Sequence, residues 1–215
     1  MATVQATTAS PARRRLPNVR LYASTRPLDY WTLSQGKGDL DLDAPYQRAS
    51  LWGTERRREL VKSLLMGLPI GSVIVSELGY RSGMPCVRVV DGKQRLEAVL
   101  AFAAGGFTVP GWWFPADSLA TEAVDKDEVS YSDLSQTGRF RFGNLQLPSL
   151  ELDARTEYLH RGDDGNWVTR ERSDEEILSL EAELYELVNF AGMAQTEADR
   201  ERAADVAARP GRYEA

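Results

Sequence analysis

The sequence predicts an α+β fold, and three observations carry that expectation. Two β-branched runs, residues 72–78 (SVIVSEL) and 86–90 (CVRVV), are separated by turn residues and read as a strand hairpin. Amphipathic helical patterns flank the hairpin, over 55–66 and 93–104. Helical periodicity without any strand signal then fills 174–208.

The elements follow in order. Residues 1–17 are rich in Ala, Thr and Ser, end in Arg13, Arg14 and Arg15, and are expected to form a flexible tail. Over 19–51 the pattern is mixed. Leu28, Trp31 and Leu33 suggest a short helix or strand, Gln35-Gly36-Lys37-Gly38 a turn, and Leu40 and Leu42 an extended segment. Thr54 stands where an N-cap belongs, Leu60, Val61, Leu64 and Leu65 share one helical face, and Gly67 and Pro69 end that helix. Gly71 and Gly79 bound the first strand, Arg81-Ser82-Gly83 is the turn, and Asp91-Gly92 stops the second strand. Leu96, Val99, Leu100 and Ala103 form the apolar face of the next helix, closed by Gly105-Gly106.

Beyond it the pattern is less regular. Residues 107–115 are aromatic and broken by Pro and Gly, 121–133 are acidic, 138–147 and 150–159 read as strands, and 161–166 as a polar turn. Ser173 caps a helix over 174–190 with Ile177, Leu180, Leu184, Leu187 and Val188 as its stripe. Thr196 caps a last helix, 197–208, which Pro210 and Gly211 end. The expected organisation is therefore a tail (1–17), a main domain (18–172) and a C-terminal helical pair (173–208) packed on it.

Composition narrows the chemistry. The 215 residues include one cysteine, Cys86, and one histidine, His160. An intramolecular disulfide, a Cys/His zinc site and a multi-histidine nuclease centre are excluded within one chain. A Ser-His-Asp triad would need His160, whose surroundings read as a loop. The net charge of -6 disfavours coating of nucleic acid by bulk attraction but leaves room for a local basic patch. No apolar run approaches a membrane span, and none follows the N-terminal charges as in a signal peptide, so no membrane partner and a cytoplasmic location are expected. Asp, Glu, Arg, Lys, Gln and backbone amides remain, and these are the groups that handle phosphate.

The stretch VRVVDGKQRLEAVLAF (87–102) places them together. A strand ends at Asp91 and a helix begins within three residues, which aims free N–H groups and a helix dipole at one point. Gly92 allows close backbone approach, Lys93 and Arg95 bring charge, Gln94 can donate or accept, and Asp91 can hold a cation or orient a nucleophile. An ordinary capped turn would have the same local sequence. Upstream, Gln47 and Arg48 precede the first amphipathic helix, with Tyr46 and Trp52 able either to stack on a base or to staple the helix to the core.

Three blocks, PYQRASLW, ELVKSLLMGLPIGSVIVSE and VVDGKQRLEAVLAF, agree in order and spacing with a known family. They resemble the N-terminal domain of GmrSD-type modification-dependent restriction enzymes, within the ParB/sulfiredoxin-like superfamily. That family is marked by an Asp-Gly-Gln-Gln-Arg signature, here Asp-Gly-Lys-Gln-Arg with Lys93 in place of the first glutamine. LYELVNFAGMAQTEADRERA is similar to its later Asn-containing helical segment. The resemblance implies a small mixed sheet packed with helices and a nucleotide-binding domain over 18–172. It also implies a site for ATP, GTP or CTP with Mg²⁺ at the signature loop. Gln47, Arg48, Gly92, Lys93, Gln94, Arg95 and Asn189 would bind the nucleotide. Asp91 would serve as metal ligand and catalytic carboxylate, with Glu77, at the end of the preceding strand, as second catalytic candidate. Such restriction enzymes also carry a histidine-metal nuclease half, which this length and the single histidine lead us not to expect here.

Three function classes stay open. The first is NTP hydrolysis or phosphoryl transfer in a DNA-modification, phage or defence setting. The second is a nucleotide sensor or DNA-binding module working with a partner nuclease, with Arg56, Arg57, Arg58 and the Arg13–Arg15 run on DNA. The third is a protein partner docked on an acidic face of the C-terminal helices, formed by Glu175, Glu176, Glu181, Glu183 and Glu186.

Overall fold

The β-branched run near the middle of the chain becomes the central strand of one mixed sheet. The computed structural model describes residues 21–80, 84–154, 158–163, 165–190 and 197–209. Its elements are β1 (Leu21–Pro27), α1 (Leu28–Lys37), β2 (Leu40–Asp41), α2 (Thr54–Leu65), β3 (Val73–Glu77), β4 (Val87–Asp91), α3 (Lys93–Ala103), β5 (Val109–Pro110), β6 (Glu128–Val129), α4 (Gln136–Gly143), β7 (Gln146–Asp153), β8 (Tyr158–Arg161), β9 (Trp167–Arg170), α5 (Asp174–Phe190) and α6 (Glu197–Ala208). Short 3₁₀ turns fill most of 111–133. The fold is α+β.

The five-stranded sheet has the order β1-β7-β3-β4-β2. β7 pairs antiparallel with β1 and parallel with β3; β4 pairs antiparallel with β3 and parallel with β2. Helices cover both faces, so β3 is buried from Val73 to Ser76 and reads as an unbroken apolar run. Alternation along β4 sends Val87 and Val89 to one core, with α1, α2 and α3, and Val90 to the other, under α5 and α6. The aromatic segment closes over Phe102, whose ring neighbours are Phe107, Phe114, Tyr131 and Phe142.

Several expectations change. Residues 138–147 are not a strand: α4 occupies Gln136–Gly143, capped by the Ser135 hydroxyl, which accepts from Gly138 N. Phe140 and Phe142 share a face in a strand but stand about 200° apart on a helix. One is accordingly 70% exposed and the other 2%. The strand read over 150–159 ends at Asp153, and His160 lies on β8 rather than in a loop. Gly53, not Thr54, is the N-cap of α2. Residues 28–37 resolve as a helix that runs through the expected turn to a left-handed Gly38. Leu187, assigned to the apolar stripe of its helix, is exposed, as is Leu33. The tail with Arg13–Arg15, the 81–83 turn, the Thr196 cap, Pro210 and Gly211 lie outside the described residues.

Candidate functional site

The β4–α3 junction is built around Gly92. Its φ of 88° is left-handed, and a Cβ there would lie 2.7 Å from Val73 Cγ1 and 3.0 Å from Arg95 Nη2. Only glycine satisfies both conditions. No side chain caps α3, so the Lys93 and Gln94 N–H groups have no intrahelical partner and the positive end of the helix dipole is open. Arg95 folds back one turn, with Nη2 donating to Asp91 Oδ2 and to Ser72 O, both at 2.8 Å. Its buried Nε has no partner among the described residues.

Two further segments meet this junction. Gln47 is buried, and its Nε2 donates to Val89 O at 2.5 Å and Val90 O at 3.3 Å, which fixes the amide against the end of β4. Its Oε1 is buried without a partner among the described residues. Arg48 is half-buried with no ion-pair partner among the described residues. From the other side α5 supplies Tyr185, Val188 and Asn189. The Asn189 amide donates to Tyr185 O at 2.8 Å.

Together these segments enclose a cleft of about 280 Å³. It is lined by Gln47, Arg48, Trp52, Arg56, Val90, Asp91, Gly92, Lys93, Gln94, Arg95, Tyr185, Val188 and Asn189. Arg48, Arg56, Lys93 and Arg95 line the cleft with Asp91 as the one carboxylate among the described residues, so an acidic chain holds a locally cationic crevice. Lys93 is partly neutralised from outside the lining, by Asp43 at 2.6 Å and Glu97 at 3.9 Å. Gln94 Oε1 accepts from Leu51 N at 3.1 Å and ties in the loop before Trp52. Trp52 packs on the core, as the stapling reading expects, and also lines the cleft with the Arg56 guanidinium 4.6 Å above its ring.

Behind the cleft lies a buried ionic network. Arg88 Nε donates to Asp41 Oδ2 at 2.7 Å and its Nη1 to Glu181 Oε2 at 3.1 Å. Burial pushes the fully buried Glu181 carboxyl up, and Arg88 pulls it back only in part. Burial also pushes the Tyr46 hydroxyl well up, with Glu181 adding to the effect. Desolvation pulls Arg88 down, but Glu181 and Asp41 outweigh it and raise the guanidinium overall.

Not all candidates arrive. Glu77 is not at the cleft: the antiparallel register sets it opposite Val87, while Asp91 stands opposite Ile74 at the other end of β3. The separation is about 10 Å of strand. Arg26 pairs with Glu77 at 2.9 Å, while burial raises its carboxyl. Arg56, Arg57 and Arg58 form no continuous basic face, since successive helical residues splay by about 100°. Arg58 is paired with Glu55 and Glu128, Arg57 is half-buried, and only Arg56 reaches the cleft. Of the expected acidic docking face, Glu181 is buried and Glu176 is paired with Arg170, while Glu175 is exposed and Glu183 and Glu186 are partly so.

Sequence reasoning missed Tyr185, Arg88 and Glu181. Tyr185 stands one turn before Asn189, a spacing that put it on the same face. An arginine inside the buried strand CVRVV demands an internal carboxylate, and Glu181 between Leu180 and Ala182 is where to look.

The family model of the GmrSD restriction endonuclease N-terminal domain matches residues 32–205. The chain belongs to this family. No curated protein and no solved structure matches it. The match reaches from α1 into α6, so every residue lining the cleft lies inside the GmrSD N-terminal domain. Membership sets the context as restriction, a phage-defence setting. Among the described residues no helix is long and apolar enough to cross a membrane. Among them, too, no group of three His, Cys, Asp or Glu is placed to hold a metal.

Proposed function

We propose that this GmrSD-type domain binds a nucleoside triphosphate in the cleft and that its hydrolysis or phosphoryl transfer serves restriction. The observation that carries the reading is the concentration of anion-binding groups at one strand–helix junction. The open α3 terminus, Arg48 and Arg95 converge there beside a single carboxylate. In such an arrangement catalysis rests on positioning and charge neutralisation. The ParB/sulfiredoxin-like character of the fold belongs to the same proposal, supported by a mixed sheet that delivers Asp-Gly-Lys-Gln-Arg to a helix start.

In this reading the α3 terminus, Lys93, Arg48 and Arg95 hold the phosphates. Gln47 and Asn189 fix the sugar or base, and Trp52 and Tyr185 flank it. ATP, GTP and CTP all fit this description. Mg²⁺, when bound, neutralises charge on the phosphates. Asp91 is the one lining carboxylate to ligate it, which fits the habit of this ion of riding on substrate phosphates with few protein ligands. Arg95 holds that carboxylate at 2.8 Å, so a phosphate that recruits Arg95 frees Asp91 for the metal.

A second reading draws on the same pair. Asp91 is already engaged and, among the described residues, no other carboxylate lines the cleft, which suits a sensor that binds nucleotide without turning it over and signals to a nuclease partner. The test is to incubate the protein with labelled ATP, GTP or CTP, with and without Mg²⁺ and DNA, and to follow binding and phosphate release. Arg95→Ala is expected to weaken binding by about one to two orders of magnitude, and Asp91→Ala to keep binding and stop turnover. Turnover surviving both changes overturns the site; binding without turnover selects the sensor.

A further inference from the structure

The cleft is lined by Gln47 and Arg48, by Trp52 and Arg56, by the β4–α3 junction and by α5; three elements distant in sequence, the 44–48 segment, β4 and α5, carry part of that lining. One buried group touches all three. Oε2 of Glu181, on α5, accepts from Arg88 Nη1 on β4 at 3.1 Å and from the Tyr46 hydroxyl at 3.4 Å. Glu181 is 0% exposed and Tyr46 1%. Sequence spacing carries this junction into the cleft. Tyr185 and Asn189 stand one and two turns further along α5. Asp91 follows Arg88 by three residues on β4, and Gln47 follows Tyr46 directly. Arg88 is itself fixed by Asp41 at 2.7 Å. Apolar contacts alone let a helix slide, whereas a buried charge-assisted bond is directional and sets register. α6 joins the same assembly, since Arg202 Nη1 donates to Gln47 O at 3.3 Å.

We propose that Glu181 is the positioning residue of the cleft. Its carboxylate locks α5 onto β4 and onto 44–48, so docking of α5 and occupation of the cleft form one linked equilibrium. A ligand that touches both the α3 terminus and Asn189 binds the docked arrangement alone and stabilises it. The C-terminal helical pair is then the element whose docking reports occupancy. The nature of the ligand rests on the nucleotide reading above; the junction does not.

The test uses Glu181→Gln in the full chain, with two readouts. Equilibrium dialysis with labelled ATP, GTP and CTP plus Mg²⁺ is expected to show a Kd raised about 10-fold or more, within the usual range of such couplings. Hydrogen exchange without ligand is expected to show 174–190 and 44–48 losing protection together while β3 and α3 keep theirs. Asn189→Ala also raises Kd, and the Glu181→Gln/Asn189→Ala pair loses no more than Glu181→Gln alone, because Asn189 is already misplaced. A merely structural Glu181 would lower protection everywhere and its effect would add to that of Asn189→Ala; either result overturns the proposal. So does wild-type Kd with wild-type exchange, or deprotection confined to α5. If the wild-type chain binds no nucleotide, the proposed function falls, and joint or separate deprotection still decides the junction. Should Glu181→Gln fail to fold, Arg88→Met/Glu181→Met keeps the volume without the directional bond. It is expected to fold with raised Kd and the same joint deprotection, and an unchanged Kd with unchanged exchange overturns the proposal.

Discussion

The two ends of the β3–β4 ladder carry the same ion types and differ in what they leave open. At one end Arg26 donates to Glu77 at 2.9 Å and Glu151 at 2.6 Å and stacks 4.3 Å from the Tyr30 ring. Its two carboxylates and the ring leave little of the guanidinium over. At the other end Arg95 shares one nitrogen between Asp91 and Ser72 O, next to an open helix terminus, and among the described residues its buried Nε has no partner and Arg48 no ion pair. Arginine beside carboxylate is common to both. The proposed binding site is the end whose donors outnumber their acceptors inside a crevice, where water competes least.

Four experiments break or sharpen this contrast. The largest effect is expected behind the open end. Glu181→Ala leaves Arg88 with half its buried partners and should cost about 3–5 kcal/mol in urea unfolding. At the closed end Glu77→Ala removes a partly exposed pair and should cost no more than about 1 kcal/mol. Next, Arg95→Ala should weaken nucleotide binding by about 1.5–3 kcal/mol, the value of a hydrogen bond to a charged group. In the same titration Arg26→Ala leaves affinity unchanged, and equal losses for both would dissolve the distinction. Third, Gly92→Ala meets both a left-handed backbone and Val73, and should cost about 1–3 kcal/mol by urea midpoint. The same change at Gly53, where a Cβ meets nothing within 4 Å, serves as control.

The smallest effect lies away from both ends. Lys126 and the Ser130 backbone and hydroxyl hold the Asp133 carboxyl down at about 2, against 3.8 for the free group. Its folded value is depressed, so its stabilisation is complete above about pH 4 and is lost as pH falls toward 2. A Tm–pH profile should show that loss in the wild type and a flatter limb in Asp133→Asn.

Much of the site was legible before the fold. The signature loop was legible because a strand stop followed by a glycine and a helix start is local information; Gln47, Arg48 and Asn189 were implied by the family resemblance, and the fold brings them to the same cleft. Glu77 was misplaced because which end of a strand faces a site depends on the pairing register. Phe140 and Phe142 misled because short aromatic alternations do not separate strand from helix. Glu181 passed for a solvated helix residue because burial of a charge is decided by a partner more than 90 residues away, Arg88.

The sequence by itself determined the α+β class, the hairpin, the helices α2, α3 and α5 and the chemistry of the β4–α3 junction, since periodicity, caps and glycines act within a few residues. Only the tertiary structure decided which arginines are free and which are spent, that Asp91 and Glu77 stand at opposite ends of one ladder, and that Glu181 ties three segments together. Those outcomes are long-range pairings. A charge is committed by the side chain that folding sets beside it, and no local pattern in the chain records that neighbour.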